Sequence, residues 1–584
     1  MLPRLALLAL LAKFASADWT WPNPVWDEIE GITHVQSGLF RAGAIDGVNP
    51  CGVFPSTHDP SRQASSEWLR TAFHDAITHN AQAGTGGVDA SLIWETDRSE
   101  NLGGRSFNAT FAFMLNSHNI RASMSDLVAL ATYTAVRSCG GPGLVMRAGR
   151  IDATEPGPEG AVPEPKDNIN KLLAKFANAG FNKTDMIQQS GASTVNSSQH
   201  LPATRTKPTL PTLTALPHIR RFDNKVATEY LDGTTQNPLV TAPGGNNSDF
   251  AVFNSDGNST IKAMSEPPTF LSTCGSILQR MIDTVPSTVK LSGPIAPLKV
   301  KPMNLQLQLL STGQLQLDGY IRVRSDARGV SQQPSVKLVY ADRTGQINST
   351  KIDTAPNTAQ GGTGFGFEAT FWVRIINRSK PTKLITVLAV LSNCINYPSK
   401  RDLSLQRLGN KHDHRRRDYM ITTGTVIGIS HFNVSVTNTT TGVDTIYDNN
   451  GNGYPVQDNV VFQPAQSCLI FDTNSNQNLT LTAAVRDGLN LTNPTSNIVV
   501  KTPRANAVVP ALVVKSVPMK LLQSTTFGYT LYTVSYALPP ALRTSTVDVW
   551  VEGPNGVKYE DGFKNTGVLK GECVSLPRPR ANRY

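Results

Sequence analysis

The spacing of the apolar residues changes near residue 290, and this change limits what the chain can fold into. Before it, apolar residues recur every three or four positions, as on the buried face of an α-helix; after it, they alternate, as on a β-strand. A chain of 584 residues is also too long for one hydrophobic core. The sequence therefore predicts a multidomain protein, with a mainly α-helical domain followed by a β-rich, sandwich-like C-terminal region.

Composition sets the predicted domain boundaries. Residues 1–17 have the charged start, apolar run and small-residue end that are typical of a secretory signal peptide. The helical domain is predicted over 18–290, and it contains an anomalous segment rich in proline and threonine, 192–221, that cannot continue a helix. The remaining predicted parts are a β-rich region at 291–400, a basic linker at 401–418 and a second β-rich region at 419–584.

Several features predict an extracellular, glycosylated protein. The chain has eleven Asn-x-Ser/Thr sequons and six cysteines, which suit disulfide formation in an oxidising compartment. No run of about twenty apolar residues follows the signal peptide, so no membrane partner is expected. The net charge of +10 would favour acidic polymers, but no basic patch interleaved with aromatic residues indicates nucleic-acid binding. We therefore expect a secreted monomer that binds no nucleic acid.

One predicted helix carries a base and a cation on the same face. Arg70 and His74 stand four residues apart in a stretch whose apolar residues have helical spacing. Cleavage of a peroxide O–O bond needs a base that takes a proton from one oxygen and returns it to the other, and a cation that stabilises the developing negative charge. The pair is thus a candidate for peroxide chemistry, although an Arg/His pair at this spacing alone is also common on ordinary helix surfaces.

The residues around this pair resemble the distal side of the plant, fungal and bacterial haem peroxidase superfamily, and most of all its secreted fungal members. The motif residues, in chain order, are Arg70, Phe73, His74, Asp75, Gly87, Asp89, Ser91, Glu95 and Asn101. The resemblance continues to about residue 190 and resumes at 222. It implies a haem b cofactor, hydrogen peroxide as substrate and a small organic, phenolic electron donor.

The resemblance also implies a role for each motif residue. Arg70 and His74 would act on peroxide, and Phe73 would lie beside the haem. Asn101, with Glu95 behind it, would orient the distal imidazole. The other motif residues would bind a structural Ca²⁺ through oxygen atoms, which suit this hard cation: Asp75, the Gly87 carbonyl, Asp89 and Ser91.

The opposite, proximal side departs from the family pattern. Family members place there a histidine that ligates the haem iron, whereas the register puts Ser193 at this position. A neutral serine hydroxyl is a poor iron ligand. Asp223 matches the acid that normally accepts the N–H of the proximal imidazole, and here that imidazole is missing.

Three interpretations of the proximal side stay open. The chain can be a peroxidase that lost its axial ligand and kept a structural or binding role, for example towards cell-wall polysaccharide. Residues 192–221 can instead reflect a retained intron or a frame slip in the gene model. Finally, His200 or His218 can supply the ligand after a rearrangement of the backbone. The predicted function is therefore a secreted haem peroxidase, and the alternative is a catalytically inactive, secreted pseudo-peroxidase.

Overall fold

The computed structural model describes residues 20–36, 40–48, 51, 64–101, 104–194, 222–324, 334–347, 351–356, 360–361, 369–374, 421–424, 428–524, 527–540 and 542–574. The predicted signal peptide and the basic linker lie outside these residues. The same holds for most of the anomalous segment, including His200 and His218, and for Cys394.

The first part of the described chain is helical, as predicted. Four of its helices, α2, α4, α6 and α11, pack around one hydrophobic core to which they contribute Trp68, Leu130, Ile187 and Leu278. The helices are α1 Pro24–His34, α2 Ala64–Ala76, α3 Gly104–Met114, α4 Met124–Ser138, α5 Ile169–Asn178, α6 Lys183–Thr194, α7 Lys225–Asp232, α8 Pro238–Thr241, α9 Ser248–Phe253, α10 Ser259–Ala263 and α11 Pro267–Asp283.

The strands that follow form a first β-sandwich. One sheet has the order β1-β2-β7-β5, with β6 beside β7 and β8 beside β2, and the facing sheet has the order β10-β9-β3-β4, with β11 beside β9. Leu317 and Ile321 of one sheet meet Leu338 and Val434 of the other in a shared core. The strands are β1 Val300–Leu309, β2 Gln314–Arg324, β3 Ser335–Ala341, β4 Ile352–Asp353, β5 Ala355–Pro356, β6 Gln360–Gly361, β7 Ala369–Arg374, β8 Ile421–Gly424, β9 His431–Thr437, β10 Asp444–Tyr447 and β11 Tyr454–Pro455.

A second β-sandwich completes the described chain. Its sheets have the orders β12-β14-β18-β17, with β13 beside β14, and β16-β15-β19-β20. Leu481, Val500 and Val549 meet in the core between the sheets. The strands are β12 Val460–Phe462, β13 Cys468–Phe471, β14 Gln477–Arg486, β15 Thr492–Thr502, β16 Ala511–Pro518, β17 Lys520–Ser524, β18 Tyr529–Leu538, β19 Arg543–Glu552 and β20 Lys558–Asn565. The predicted helical domain followed by a sandwich-like, β-rich region is confirmed.

Two details of the β-rich part differ from the sequence pattern. The alternation predicts one strand over 304–316, but the chain turns back at Gly313, whose φ of 77° permits a tight turn between β1 and β2. In addition, β3 pairs with β9 and β2 pairs with β8, so strands from both sides of residues 401–418 share each sheet of the first sandwich. The division between the two β-units therefore falls after β11 rather than at 401–418.

A buried ion cluster joins the helical domain to the first sandwich. The carboxylate of Glu30, on α1, accepts hydrogen bonds from both terminal nitrogens of Arg322 on β2. Lys301 on β1 donates to the same carboxylate with an Nζ to Oε2 distance of 2.7 Å. The three side chains are at most 1 % exposed. The cluster thus fixes α1 against the outer face of the β1–β2 hairpin.

A loop of the second sandwich also docks on the helical domain. The loop between β15 and β16 places Val509 in the helical core, with 1 % of its surface exposed. The Val508 N–H donates to the carbonyl of Ile93 at 3.0 Å, and the Arg504 guanidinium lies 5.4 Å from the centre of the Trp94 ring. Both contacted residues belong to the 3₁₀-helix Ser91–Trp94, so this sandwich supports the segment that leads to Glu95.

Disulfides connect Cys51 to Cys139 in the helical domain and Cys468 to Cys573 in the second sandwich. Cys274 on α11 is buried and carries a free thiol. Among the helices that the structure describes, none combines the length and the apolar character that a membrane crossing requires.

Candidate functional site

Arg70 and His74 lie next to each other, as the helical spacing predicts. Both are on α2, and the Arg70 Nε–H donates to His74 Nε2 at 3.3 Å. An Arg70 terminal nitrogen also reaches the hydroxyl of Ser106 on α3, at 3.5 Å. The cation and the base therefore face one common point, where a small molecule with two oxygen atoms could contact both.

Asn101 determines which nitrogen of the His74 ring carries the proton. The Asn101 side-chain amide donates to the main-chain carbonyl of Glu95 at 2.9 Å, so its Oδ1 faces His74 Nδ1, at 2.7 Å, as an acceptor. The imidazole therefore carries its proton on Nδ1 and keeps the Nε2 lone pair for a second partner. Burial and the neighbouring charge of Arg70 lower the pKa of His74 to about 3. The ring is thus neutral at physiological pH and ready to accept a proton at Nε2.

Glu95 supports Asn101 through its backbone rather than through its carboxylate. The Glu95 carboxylate instead accepts the Gly157 N–H at 2.6 Å and pairs with Arg98 at 3.4 Å. Burial raises the pKa of this carboxyl above its usual range. The resemblance implies that Glu95 lies behind Asn101, and the structure brings the two together, with the glutamate anchoring the loop that positions the amide.

Aromatic rings surround the base. The centre of the His74 ring lies 5.8 Å from that of Phe73 and 4.8 Å from that of Phe107, and Arg70 stands over the Phe107 ring at 4.7 Å. Phe73 also contacts Phe176 on α5, with ring centres 5.9 Å apart. Sequence reasoning missed Phe107. Its helical spacing with Phe111 on α3 indicates a buried face but not a contact with the base.

The four predicted calcium ligands lie in one polar region beside α2. The Asp75 carboxylate is fully buried and accepts the N–H groups of Ala90 and Leu92 at 2.8 and 3.3 Å. Asp89 accepts the Ser91 N–H at 3.1 Å. The Gly87 carbonyl accepts the Asp89 N–H at 2.8 Å and keeps a second lone pair. Burial raises the pKa of Asp75, and the nearby charge of Asp89 raises it further.

These residues fit a hard cation. Within the described residues, the Ser91 hydroxyl is buried without a hydrogen-bond partner. Two buried carboxylates, a carbonyl and a hydroxyl form an oxygen donor set that suits Ca²⁺. Over the same residues, no group of three or more His, Cys, Asp or Glu side chains forms a metal cluster. Because all four of its donor atoms are oxygens, the donor set is unlike the nitrogen and sulfur sites of transition metals.

The proximal side offers a different set of groups. Ser193 lies in the last turn of α6, and Asp223 accepts the Lys225 N–H at the start of α7, at 3.2 Å. Asp223 therefore accepts a main-chain N–H at the start of α7, and no histidine of the described residues pairs with it. The described histidines other than His74 are His34, His79, His118 and His431, and none of them lies on α6 or α7. The described residues thus bring the distal groups together and supply no imidazole ligand from these two helices.

Comparison with known proteins places this site in a family. The family model described as Peroxidase matches residues 54–256, which include Arg70, His74 and Asn101. Versatile peroxidase VPS1 of Pleurotus eryngii is 34 % identical over 151 residues, and the match covers 23 % of this chain and 39 % of that protein. Putative L-ascorbate peroxidase 6 of Arabidopsis thaliana is 33 % identical over 131 residues, or 22 % of this chain and 40 % of that protein.

One relative extends over nearly the whole chain. A WSC domain-containing protein of Arthroderma benhamiae is 35 % identical over 583 residues, covering 97 % of this chain and 71 % of the relative. By contrast, the chain spans well under half the length of the two named peroxidases. The combination of a peroxidase domain with the β-rich part is therefore similar to that of the relative from Arthroderma.

Proposed function

The chain belongs to the haem peroxidase superfamily, and we propose that its helical domain is a secreted enzyme that reduces hydrogen peroxide and oxidises small phenolic donors. The observation that carries this proposal is the hydrogen-bonded series from Arg70 to His74 to Asn101. Bound haem would supply the redox chemistry, with Phe73 beside it. Ca²⁺ held by Asp75, Gly87, Asp89 and Ser91 would stabilise the segment around the distal base.

Each residue of the distal site has a separate role in the cleavage of peroxide. Peroxide enters between Arg70 and His74 and replaces their mutual hydrogen bond. His74 accepts the proton of one peroxide oxygen at Nε2, because Asn101 holds the Nδ1 proton, and returns it to the departing oxygen. Arg70 stabilises the negative charge that develops during cleavage. The aromatic rings of Phe73 and Phe107 limit the access of water to the base.

Activity measurements on the purified, full-length protein test this role. We expect peroxide-dependent oxidation of guaiacol, and a loss of about 10²- to 10⁴-fold in His74→Ala, the usual contribution of a general base. His431→Ala, on β9, is the matched control and should keep full activity. Equal activity in the wild type and His74→Ala would remove the proposed base.

A second candidate function is a haem-free, secreted binding or structural protein, for example at cell-wall polysaccharide. Serine at position 193 favours it, because the last turn of α6 then offers no imidazole. Absorbance of the purified protein after incubation with haemin separates the two functions. A Soret band supports the enzyme, whereas its absence in the wild type and its gain in Ser193→His support the pseudo-peroxidase.

The remaining interpretations have their own measurements. If His200 or His218 ligates the iron, replacing that histidine by alanine abolishes the Soret band. If 192–221 reflects an intron or a frame slip, the transcript sequence across these codons encodes different residues, and a histidine replaces Ser193.

A further inference from the structure

A polar cavity of about 210 Å³ lies on the outer face of the first sandwich. It is lined by residues of the β1–β2 hairpin and by Pro464, which follows β12. The polar and aromatic residues that line it are Asn304, Gln306, Gln308, Gln316, Asp318 and Tyr320. The cavity therefore lies where the two sandwiches meet, a common location for ligand sites.

The hairpin register creates this polar surface. Gln308 is opposite Gln316, and Gln306 is opposite Asp318, on the face of the hairpin that points away from the sandwich core. A bulge between Met303 and Gln306 bends β1. Gly319 has φ of 146°, and a Cβ there would come within 2.8 Å of the Leu305 side chain. The bulge in β1 and the conformation of Gly319 thus make the polar face of this hairpin concave, whereas a regular hairpin would be flat.

The glutamine side chains retain hydrogen-bonding capacity for a ligand. Gln308 donates to the Gln316 carbonyl at 2.9 Å, and this hydrogen bond uses neither the Gln316 NH₂ group nor the Gln308 carbonyl. Gln306 donates to the carbonyl of Phe462 at 3.2 Å, so its own carbonyl is held in place as an acceptor. The glutamine side chains therefore place amide N–H donors and carbonyl acceptors close to each other, and hydrogen bonds hold these side chains in position.

The lining indicates the chemistry of the ligand. Sugar hydroxyls both donate and accept, and amide side chains match them in both roles. Tyr320, whose ring centre lies 4.9 Å from that of Phe40, adds an aromatic surface for the apolar face of a sugar ring. The lining contains no Lys or Arg, which disfavours an anion, and its single carboxylate is too little charge for a dedicated cation site. The volume is below the roughly 300–1,000 Å³ of larger ligand pockets, so it suits a single ring.

We propose that this cavity binds one ring of a neutral oligosaccharide or polysaccharide. The site does not depend on the proposed peroxidase reaction, because it shares no residue with the distal pair. Tyr320 stands two positions before Arg322, which binds Glu30 of the helical domain. A polymer held in the cavity would therefore be kept close to the helical domain by a rigid connection.

Calorimetric titration of the full-length protein with laminarihexaose, cellohexaose and mannohexaose, each separately, tests the proposal. We expect at least one of them to bind, and Gln316→Leu and Gln308→Leu each to weaken that binding about tenfold through lost hydrogen bonds. Gln314→Leu is the matched control, because Gln314 lies on the same face of β2 but outside the cavity, and it should bind like the wild type. Thermal unfolding of each variant verifies the native fold. Gln316 is the more deeply buried of the two residues. If Gln316→Leu fails to fold for that reason, Gln308→Leu alone tests the proposal.

Three results would overturn the proposal. The first is the absence of binding by all three oligosaccharides, and the second is unchanged binding in both cavity variants. The third is displacement of the neutral oligosaccharide by polygalacturonate, which would show that the cavity accepts anions. Because guaiacol oxidation does not require the cavity, Gln316→Leu should keep the wild-type peroxidase rate, and the two proposals can fail separately.

Discussion

Replacing Glu30 by glutamine should destabilise the junction between the helical domain and the first sandwich. The change keeps the shape of the side chain but removes the carboxylate charge that pairs with Arg322, while Lys301 keeps Asp27 at 2.6 Å. Burial alone would raise the pKa of Glu30, but the charges of Arg322 and Lys301 outweigh it and hold this pKa far below its usual range. The native state therefore depends on an ionised carboxylate that is fully buried.

The expected cost follows from this burial. Removing one partner of a buried ion pair costs about 3–5 kcal/mol, because the other charge stays buried and uncompensated. For an m value of about 3 kcal/mol per M of urea, the unfolding midpoint should fall by about 1–1.7 M. Urea unfolding followed by tryptophan fluorescence measures this shift. Replacing Glu30, Lys301 and Arg322 together by leucine and methionines should recover much of the loss, because the opposite charges of the cluster are then removed together.

Asp353→Asn is the matched control. Asp353 pairs with Lys337 at 3.2 Å, and the two side chains are 52 % and 39 % exposed, so the loss should be at most about 1 kcal/mol. If Glu30→Gln shifted the midpoint no further than Asp353→Asn, the ion cluster would not hold the junction, and the reasoning from burial would be refuted.

Three further predictions concern the helical domain. Chelation of Ca²⁺ with EGTA should lower the melting temperature of the wild type, and Asp75→Asn should remove this response; a wild type indifferent to EGTA in scanning fluorimetry would contradict the cation site. Burial lowers the pKa of His34 to about 4, so between about pH 6.5 and 4 the unfolded chain binds a proton that the folded chain does not, and stability should fall on acidification. His34→Gln should flatten this dependence by up to about 3 kcal/mol in urea titrations, and an unchanged slope would argue against it. Burial also raises the pKa of the Cys274 thiol, so iodoacetamide should alkylate it only after denaturation, as read by peptide mass spectrometry.

Sequence patterns predict those structural features that depend on residues close together in the chain. Helical spacing predicted that Arg70 and His74 share a face, and the structure places them 3.3 Å apart. The start of a helix depends on more than residue type. Ser123 and Ser125 are both suitable N-cap residues, but Ser123 caps α4, because the Ser125 hydroxyl instead donates to Asp152 at 2.8 Å. A partner 27 residues away leaves no local pattern by which it could be predicted.

The arrangement of the strands could not be predicted for the same reason. Alternation identifies the buried face of a strand but not its neighbour, and β3 pairs with β9 across about ninety residues of chain. The cavity could not be predicted either, because the alternating pattern predicts one continuous strand that contains both Gln308 and Gln316. Only the turn at Gly313 brings the two glutamines opposite each other.

The loop between β15 and β16 bears on how this protein can be divided for experiments. A recombinant fragment that ends near residue 290 would contain every motif residue of the distal side, yet it would lack Val509 from its core and the N–H of Val508 that bonds to Ile93. The freed backbone lies only eight residues before Asn101, so the fragment should hold its imidazole less firmly than the intact chain. Experiments on the distal site should therefore use the helical domain together with both sandwiches.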